Sequence, residues 1–178
     1  MKQQLSITVL SISLVFSVGK VESQEIPNDL INPNEFKTLV TKTISARDSK
    51  RLSEQQFIQA IKSKEYILLD ARSQNNYKLR HIKNAINLPF TEFTAETLAK
   101  VIPSKDSKIL IYCNNNFLGS PSSFATKLPA ASLNLSTQVS LAAYGYKNIY
   151  ELGPLLQVNN TAIEFEGKET LNLFRAFK

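Results

Sequence analysis

Lys108-Ile109-Leu110-Ile111-Tyr112-Cys113, followed at once by Asn114-Asn115-Asn116-Phe117-Leu118-Gly119-Ser120, is the stretch from which the rest of the chain is read. Ile109 to Tyr112 are all apolar, and three of the four are β-branched or aromatic, which predicts a short buried strand. The strand ends on Cys113, the single cysteine among 178 residues. Polarity then takes over, and Asn, Gly, Ser and Pro mark a loop. Ligands of open α/β sheets bind just beyond the carboxyl ends of the strands, so a lone thiol there is a candidate nucleophile. The plainer alternative is a half-buried cysteine that packs as a small hydrophobe.

The neighbouring segments alternate in kind. Upstream, Tyr66-Ile67-Leu68-Leu69-Asp70 predicts a second buried strand, ending in the polar turn Asp70-Ala71-Arg72-Ser73. Before it, Ser53 and Gln56 have the spacing of a capping box, which opens a helix to about Lys62 that buries Phe57, Ile58 and Ile61. Arg47 to Leu52 is a link or edge strand, and Phe36, Leu39, Val40 and Ile44 give a first helix over 34–44. Tyr77 to Lys83 is a short charged stretch, and Ile86 to Pro89 a third strand stopped by its proline. Thr94 to Val101 is helical and closed by Pro103. Beyond Cys113, Ser122 to Leu128 has a helical look, and Ser136 is placed to cap a helix holding Val139, Leu141, Ala142 and Ala143. Gly145 follows that helix, where a left-handed backbone is needed, and Asn148 to Leu152 is the last core strand. Strands alternating with helices predict an α/β fold, a parallel sheet with helices on both faces.

Composition excludes several classes of function. The net charge is +6, but Lys and Arg are scattered among Asp and Glu, with none of the basic blocks that nucleic-acid binding calls for. One cysteine rules out an internal disulfide and a thiolate-rich zinc site, and one histidine argues against a His-based one, so neither metal nor organic cofactor is expected. Residues 1–23 have the form of a signal peptide: Lys2, an apolar run from Leu5 to Val18, then Val21-Glu22-Ser23. The run is too short and too polar for a stable membrane span. The expectation is therefore export, periplasmic or secreted, with an unpaired thiol carried into an oxidising compartment.

From Tyr66 to Leu152, about half the chain, the order of motifs resembles the rhodanese-like domain, the sulfurtransferase family. Leu68-Leu69-Asp70-Ala71-Arg72 resembles its strand ending in Asp-x-Arg. Tyr77 with His81-Ile82-Lys83-Asn84-Ala85-Ile86-Asn87-Leu88-Pro89 resembles its Tyr…His-Ile-x-Gly-Ala-x-x-x-Pro segment. Ile109 to Cys113, with Gly145-Tyr146-Lys147-Asn148-Ile149-Tyr150-Glu151-Leu152 downstream, resembles its catalytic strand and the segment after its helix. The resemblance implies a three-layer fold with a central parallel sheet over 46–153. A helical extension (24–45) would precede this domain, and a C-terminal extension (154–178) would follow it. It implies a persulfide on Cys113, cradled by Asn114, Asn115, Asn116, Phe117, Leu118, Gly119 and Ser120, with Asp70, Arg72 and His81 in structural roles. It also implies a small sulfur donor (polysulfide, persulfide or thiosulfate) and a thiol or protein acceptor. A free thiol ionises near pH 8.5, so it needs local positive potential, which backbone N–H groups and a helix start can supply.

The sequence departs from the family after Cys113. The segment before the next helix is much longer than usual, and its first basic residue is Lys127. A phosphatase reading needs Cys-x5-Arg, and position 119 is glycine. Asp70 and Arg72 have the look of a surface pair, worth under ~1 kcal/mol. Two functions follow: a sulfurtransferase or sulfur carrier acting through Cys113, or a non-catalytic binding module whose long loop and tail hold a protein partner. A cup of N–H groups around the sulfur favours the first, and a sulfur covered by the insertion the second.

Overall fold

The computed structural model describes residues 26–170. The expected signal peptide and the end of the expected C-terminal extension, 171–178, lie outside them. Of the described residues, 26–32 belong to a separate unit from the one that begins at Pro33. From Pro33 the elements run α1 (Pro33–Arg47), β1 (Arg51–Leu52), α2 (Glu54–Ser63), β2 (Tyr66–Asp70), α3 (Gln74–Leu79), β3 (His81–Ile82), β4 (Ile86–Asn87) and α4 (Ala95–Val101). They continue as β5 (Lys108–Tyr112), β6 (Phe117–Leu118), α5 (Leu133–Ala143), β7 (Asn148–Leu152), β8 (Leu156–Gln157) and β9 (Phe165–Glu166).

Five strands make one sheet in the order β1-β7-β5-β2-β4, parallel throughout. The strand that ends on Cys113 is the middle one. Side chains alternate across it, as strand geometry requires. Leu68, Leu110, Tyr112 and Leu152 point to one face and pack with Phe57 and Ala60 of α2. Leu69, Ile109, Ile111 and Ile149 point to the other and pack with Leu98, Ile102 and Leu141. Both faces are thus covered, which is why the strands are apolar runs rather than alternating ones. α1 packs along α5, continuing to Arg47, and leaves Phe36 and Ile44 of its apolar stripe exposed.

The local signals act largely as expected. Ser53 accepts from the Gln56 N–H at 3.3 Å, and the Gln56 side chain accepts from the Ser53 N–H at 2.9 Å. Gly145 has φ +86°, the left-handed turn that lets the chain leave α5 and enter β7. Three readings change. The stretch before His81 contains a helix, α3, capped by Ser73, whose six residues were too few and too polar to show a period. Ser122 to Leu128 is not helical, because side chains from residues 114 and 115 hold its backbone. The helix after the insertion starts at Leu133 with Ser132 as N-cap, and Ser136 lies inside it. Its buried edge is Asn134, Thr137 and Gln138, so apolar periodicity missed the first turn.

Asp70 and Arg72 are not a surface pair. Arg72 is 2% exposed and Asp70 fully buried. Arg72 Nε donates to Asp70 Oδ1 at 2.9 Å, and its Nη atoms donate to the carbonyls of Ser123 at 2.9 Å and Arg80 at 2.8 Å. The Tyr112 hydroxyl donates to Asp70 Oδ2 at 2.5 Å and accepts from the Ile82 N–H at 3.1 Å. Burial pushes the Tyr112 hydroxyl well above its ordinary value, so it stays a donor. Burial works against the Arg72 charge, but the bonds to Asp70 and Tyr112 outweigh it and hold the guanidinium protonated. Removing one partner strands a buried charge. Arg72→Met is expected to lose about 3–5 kcal/mol of stability in urea unfolding, whereas a loss under ~1 kcal/mol would return the pair to surface status.

Candidate functional site

Cys113 leaves β5 in extended geometry and caps a single turn of 3-10 helix, Asn114–Asn116. Its side chain is 1% exposed. The sulfur lies 3.5 Å from the hydroxyl of Ser132, the residue that opens α5. Ser132 makes no side-chain cap bond to its own helix. The hydroxyl faces the thiol instead, while the Ser132 carbonyl accepts from the Leu135 N–H at 3.1 Å and opens the first turn. The start of the helix carries the positive end of its dipole. Ser132 and Leu133 are half-buried.

The segment from Asn114 to Ser120 is built as a strut. Asn116 is its centre: Oδ1 accepts from the Cys113 N–H at 2.9 Å and from Asn134 Nδ2 at 3.2 Å, and Nδ2 donates to the Leu152 carbonyl at 2.8 Å. One side chain thereby joins the ends of β5 and β7 to the start of α5. Asn114 donates to the Ala125 carbonyl at 2.7 Å, and Asn115 exchanges two bonds with the Lys127 backbone, both 2.9 Å. Phe117 enters the core among Tyr112, Phe124 and Phe165. Leu118 pairs with Gln157 across β6 and β8. Gly119 turns the chain at φ +88°, and the Ser120 hydroxyl bonds the Glu169 carboxylate. The three asparagine amides thus donate to backbone carbonyls, while the thiol faces the Ser132 hydroxyl and the Asn116 backbone N–H of its own turn.

Residues 53–152 match the family model described as the rhodanese-like domain. The chain belongs to the rhodanese-like domain family. It is 30% identical over 110 residues to the adenylyltransferase and sulfurtransferase UBA4 of Kluyveromyces lactis, covering 58% of this chain and 24% of that one. It is 31% identical over 123 residues to a tRNA uridine(34) hydroxylase of Aster yellows witches'-broom phytoplasma, covering 62% and 38%. It therefore spans well under half the length of these two curated relatives. Among solved structures, an EanB variant in complex with hercynine shares the fold with a TM-score of 0.50 at 16% identity, over 69% of this chain and 29% of that one.

The rhodanese-like motif residues fall away from the thiol. Asp70 and Arg72 are in the buried clamp. His81 stacks on Tyr77 at 3.7 Å, keeps Nδ1 2.7 Å from the Tyr77 carbonyl, and faces Glu166 at 3.6 Å from Nε2, within the β3–β9 pair. No group of three or more His, Cys, Asp or Glu able to hold a metal exists among the described residues. Sequence reading missed Ser132, Asn134 and Glu151. For Glu151 a signal was there, a carboxylate inside the strand Ile149-Tyr150-Glu151-Leu152.

Glu151 lies on β7 beside Ile111 of β5 and is fully buried. Gln138 donates to its Oε2 at 2.9 Å, Arg47 pairs with Oε1 at 2.5 Å and Arg51 at 3.3 Å. Burial raises its carboxyl above the usual value near 4.5, against the pull of Arg47 and Arg51. A proton held more tightly when folded stabilises the fold below the unfolded value, and that contribution is lost as pH rises through the folded one. Glu151→Gln is expected to flatten the fall in unfolding free energy as pH climbs from about 4.5. An unchanged slope in urea titrations across that range would contradict this assignment.

Proposed function

We propose that this protein is an exported sulfurtransferase or sulfur carrier of the rhodanese type, holding sulfane sulfur as a persulfide on Cys113. The observation that carries this reading is the placement of the only thiol at the carboxyl end of the middle strand, against the start of α5 and the Ser132 hydroxyl. In the first step the Cys113 thiolate attacks the outer sulfur of the donor. An S–S bond forms to Cys113, the donor's own S–S bond breaks, and the electron pair leaves on the donor's thiolate. In the second, a thiol or protein acceptor attacks the outer sulfur and Cys113 departs as thiolate. Neither half needs an external oxidant or reductant. The positive end of α5 suits the negative charge of a bound persulfide. Export rests on residues 1–23, and no nucleic acid enters this reading.

The donor class follows from what surrounds the sulfur. The residue that touches it and those that follow it in the turn are neutral: Ser132, Asn114, Asn115 and Asn116. A dianion such as thiosulfate finds no guanidinium here to clamp it. Polysulfide or a small persulfide is the better donor, by about tenfold or more in kcat/KM if one charge-assisted bond is missing.

A second reading is favoured by one observation, the near-complete burial of Cys113. In it the fold is a binding module and the thiol is packing. Mass spectrometry after polysulfide treatment separates the two. The catalytic reading expects one added sulfur atom on Cys113, none on folded Cys113→Ser, and a smaller yield from thiosulfate. A wild-type thiol that gains no sulfur from either donor leaves the module reading standing.

A further inference from the structure

A second polar centre lies at the base of the insertion. After β9 pairs with β3, Gly167 presses on the end of α3 with φ +124°. A Cβ there would stand 2.5 Å from the Leu79 carbonyl oxygen, so glycine alone permits the approach. Two residues on, Glu169 Oε2 lies within reach of three donor groups: the Ser120 hydroxyl at 2.6 Å, the Ser123 hydroxyl at 3.0 Å and Arg80 Nε at 3.4 Å, the two hydroxyls standing 2.7 Å from each other. All three donor residues are more than nine-tenths buried.

These donors do not depend on Glu169 for their positions. The Arg72 guanidinium bonds the backbone carbonyls of both Ser123 and Arg80. The Ser120 carbonyl accepts from the Phe124 N–H at 2.8 Å. A preorganised set of donors keeps its affinity for an anion when one occupant leaves. Glu169 also fills the site incompletely. Arg80 Nε is buried without a hydrogen bond, because the tethered carboxylate stops at ion-pair distance. A carboxylate free of the chain could close on that donor.

We propose that Arg80, Ser120 and Ser123 form a binding site for a carboxylate group, and that Glu169 occupies it in cis as a displaceable stand-in. An external carboxylate, from a small acid or from the side chain of a protein, competes with the C-terminal segment for the same three donors. The proposal is independent of the chemistry assigned to Cys113.

The test is thermal unfolding of the full chain in sodium acetate against sodium chloride at matched ionic strength and pH 7. Glu169→Ala is expected to gain a few degrees in acetate and wild type a smaller gain that needs more acetate, since in wild type the anion must first displace the tethered carboxylate. Glu169→Ser leaves Gly167 and every donor untouched and is expected to respond in the same way, which keeps the test valid if Glu169→Ala folds poorly. Adding Arg80→Gln to either variant is expected to abolish the gain. A short peptide bearing one glutamate serves as the second probe. A response to it at lower concentration than to acetate assigns the site to protein carboxylates, and a response to acetate alone assigns it to small acids. Open-site variants indistinguishable from wild type in acetate, or a gain that survives Arg80→Gln, would overturn the proposal.

Discussion

The buried triad of Asp70, Arg72 and Tyr112 sets the positions of everything at the top of the sheet. Asp70 and Tyr112 are register partners on adjacent strands, and a hydroxyl-carboxylate bond fastens their side chains. Arg72 then carries the fastening outward to the Ser123 and Arg80 carbonyls, and Tyr112 to the Ile82 amide. One charge pair thus anchors the insertion, the end of α3 and the start of β3 to the last residues of β2 and β5. Such a pair contributes little net stability against a well-packed apolar replacement, but losing one partner is costly. Its role is positional: it determines where the residue after Tyr112, the cysteine, emerges.

What emerges is a thiol at the carboxyl end of the middle strand, almost fully buried. Asn116 consumes the Cys113 N–H and ties the same turn to β7 and α5, so the backbone around the sulfur is held from three sides. The half-buried Ser132 faces the sulfur. Covering a lone thiol limits its adventitious oxidation, since susceptibility follows exposure and thiolate character. The long segment after Cys113 is itself anchored by side chains at residues 114, 115 and 120.

The main strands, their parallel sense and the helices on both faces were legible because each rests on local chemistry: apolar runs for β2, β5 and β7, the Ser53–Gln56 capping box, and Gly145 after α5; the two-residue strands β3, β6, β8 and β9 are too short to show a pattern. The position of Cys113 at the end of the middle strand was legible, and its surroundings were not. Three asparagines after a strand suggest a loop that offers donors to a ligand, yet their amides go to the backbone of the insertion, which sequence spacing does not reveal. The start of α5 was missed because its inner edge is polar, matched to a buried Glu151 on a strand 13 residues away from Gln138. The burial of Asp70 and Arg72 was missed because two adjacent charges look alike on a surface and beneath an insertion. In each case the deciding partner was remote in sequence, and pattern reading sees only neighbours.

The claim that the start of α5 and Ser132 form the seat of a transferred sulfur is tested most directly by a crystal structure of the protein after polysulfide treatment. The account predicts one additional sulfur bonded to Cys113 Sγ, directed at the first-turn N–H groups of α5, with the Ser132 hydroxyl turned aside or bonded to it. An unmodified Cys113 in treated crystals, still packed against Ser132, would contradict it.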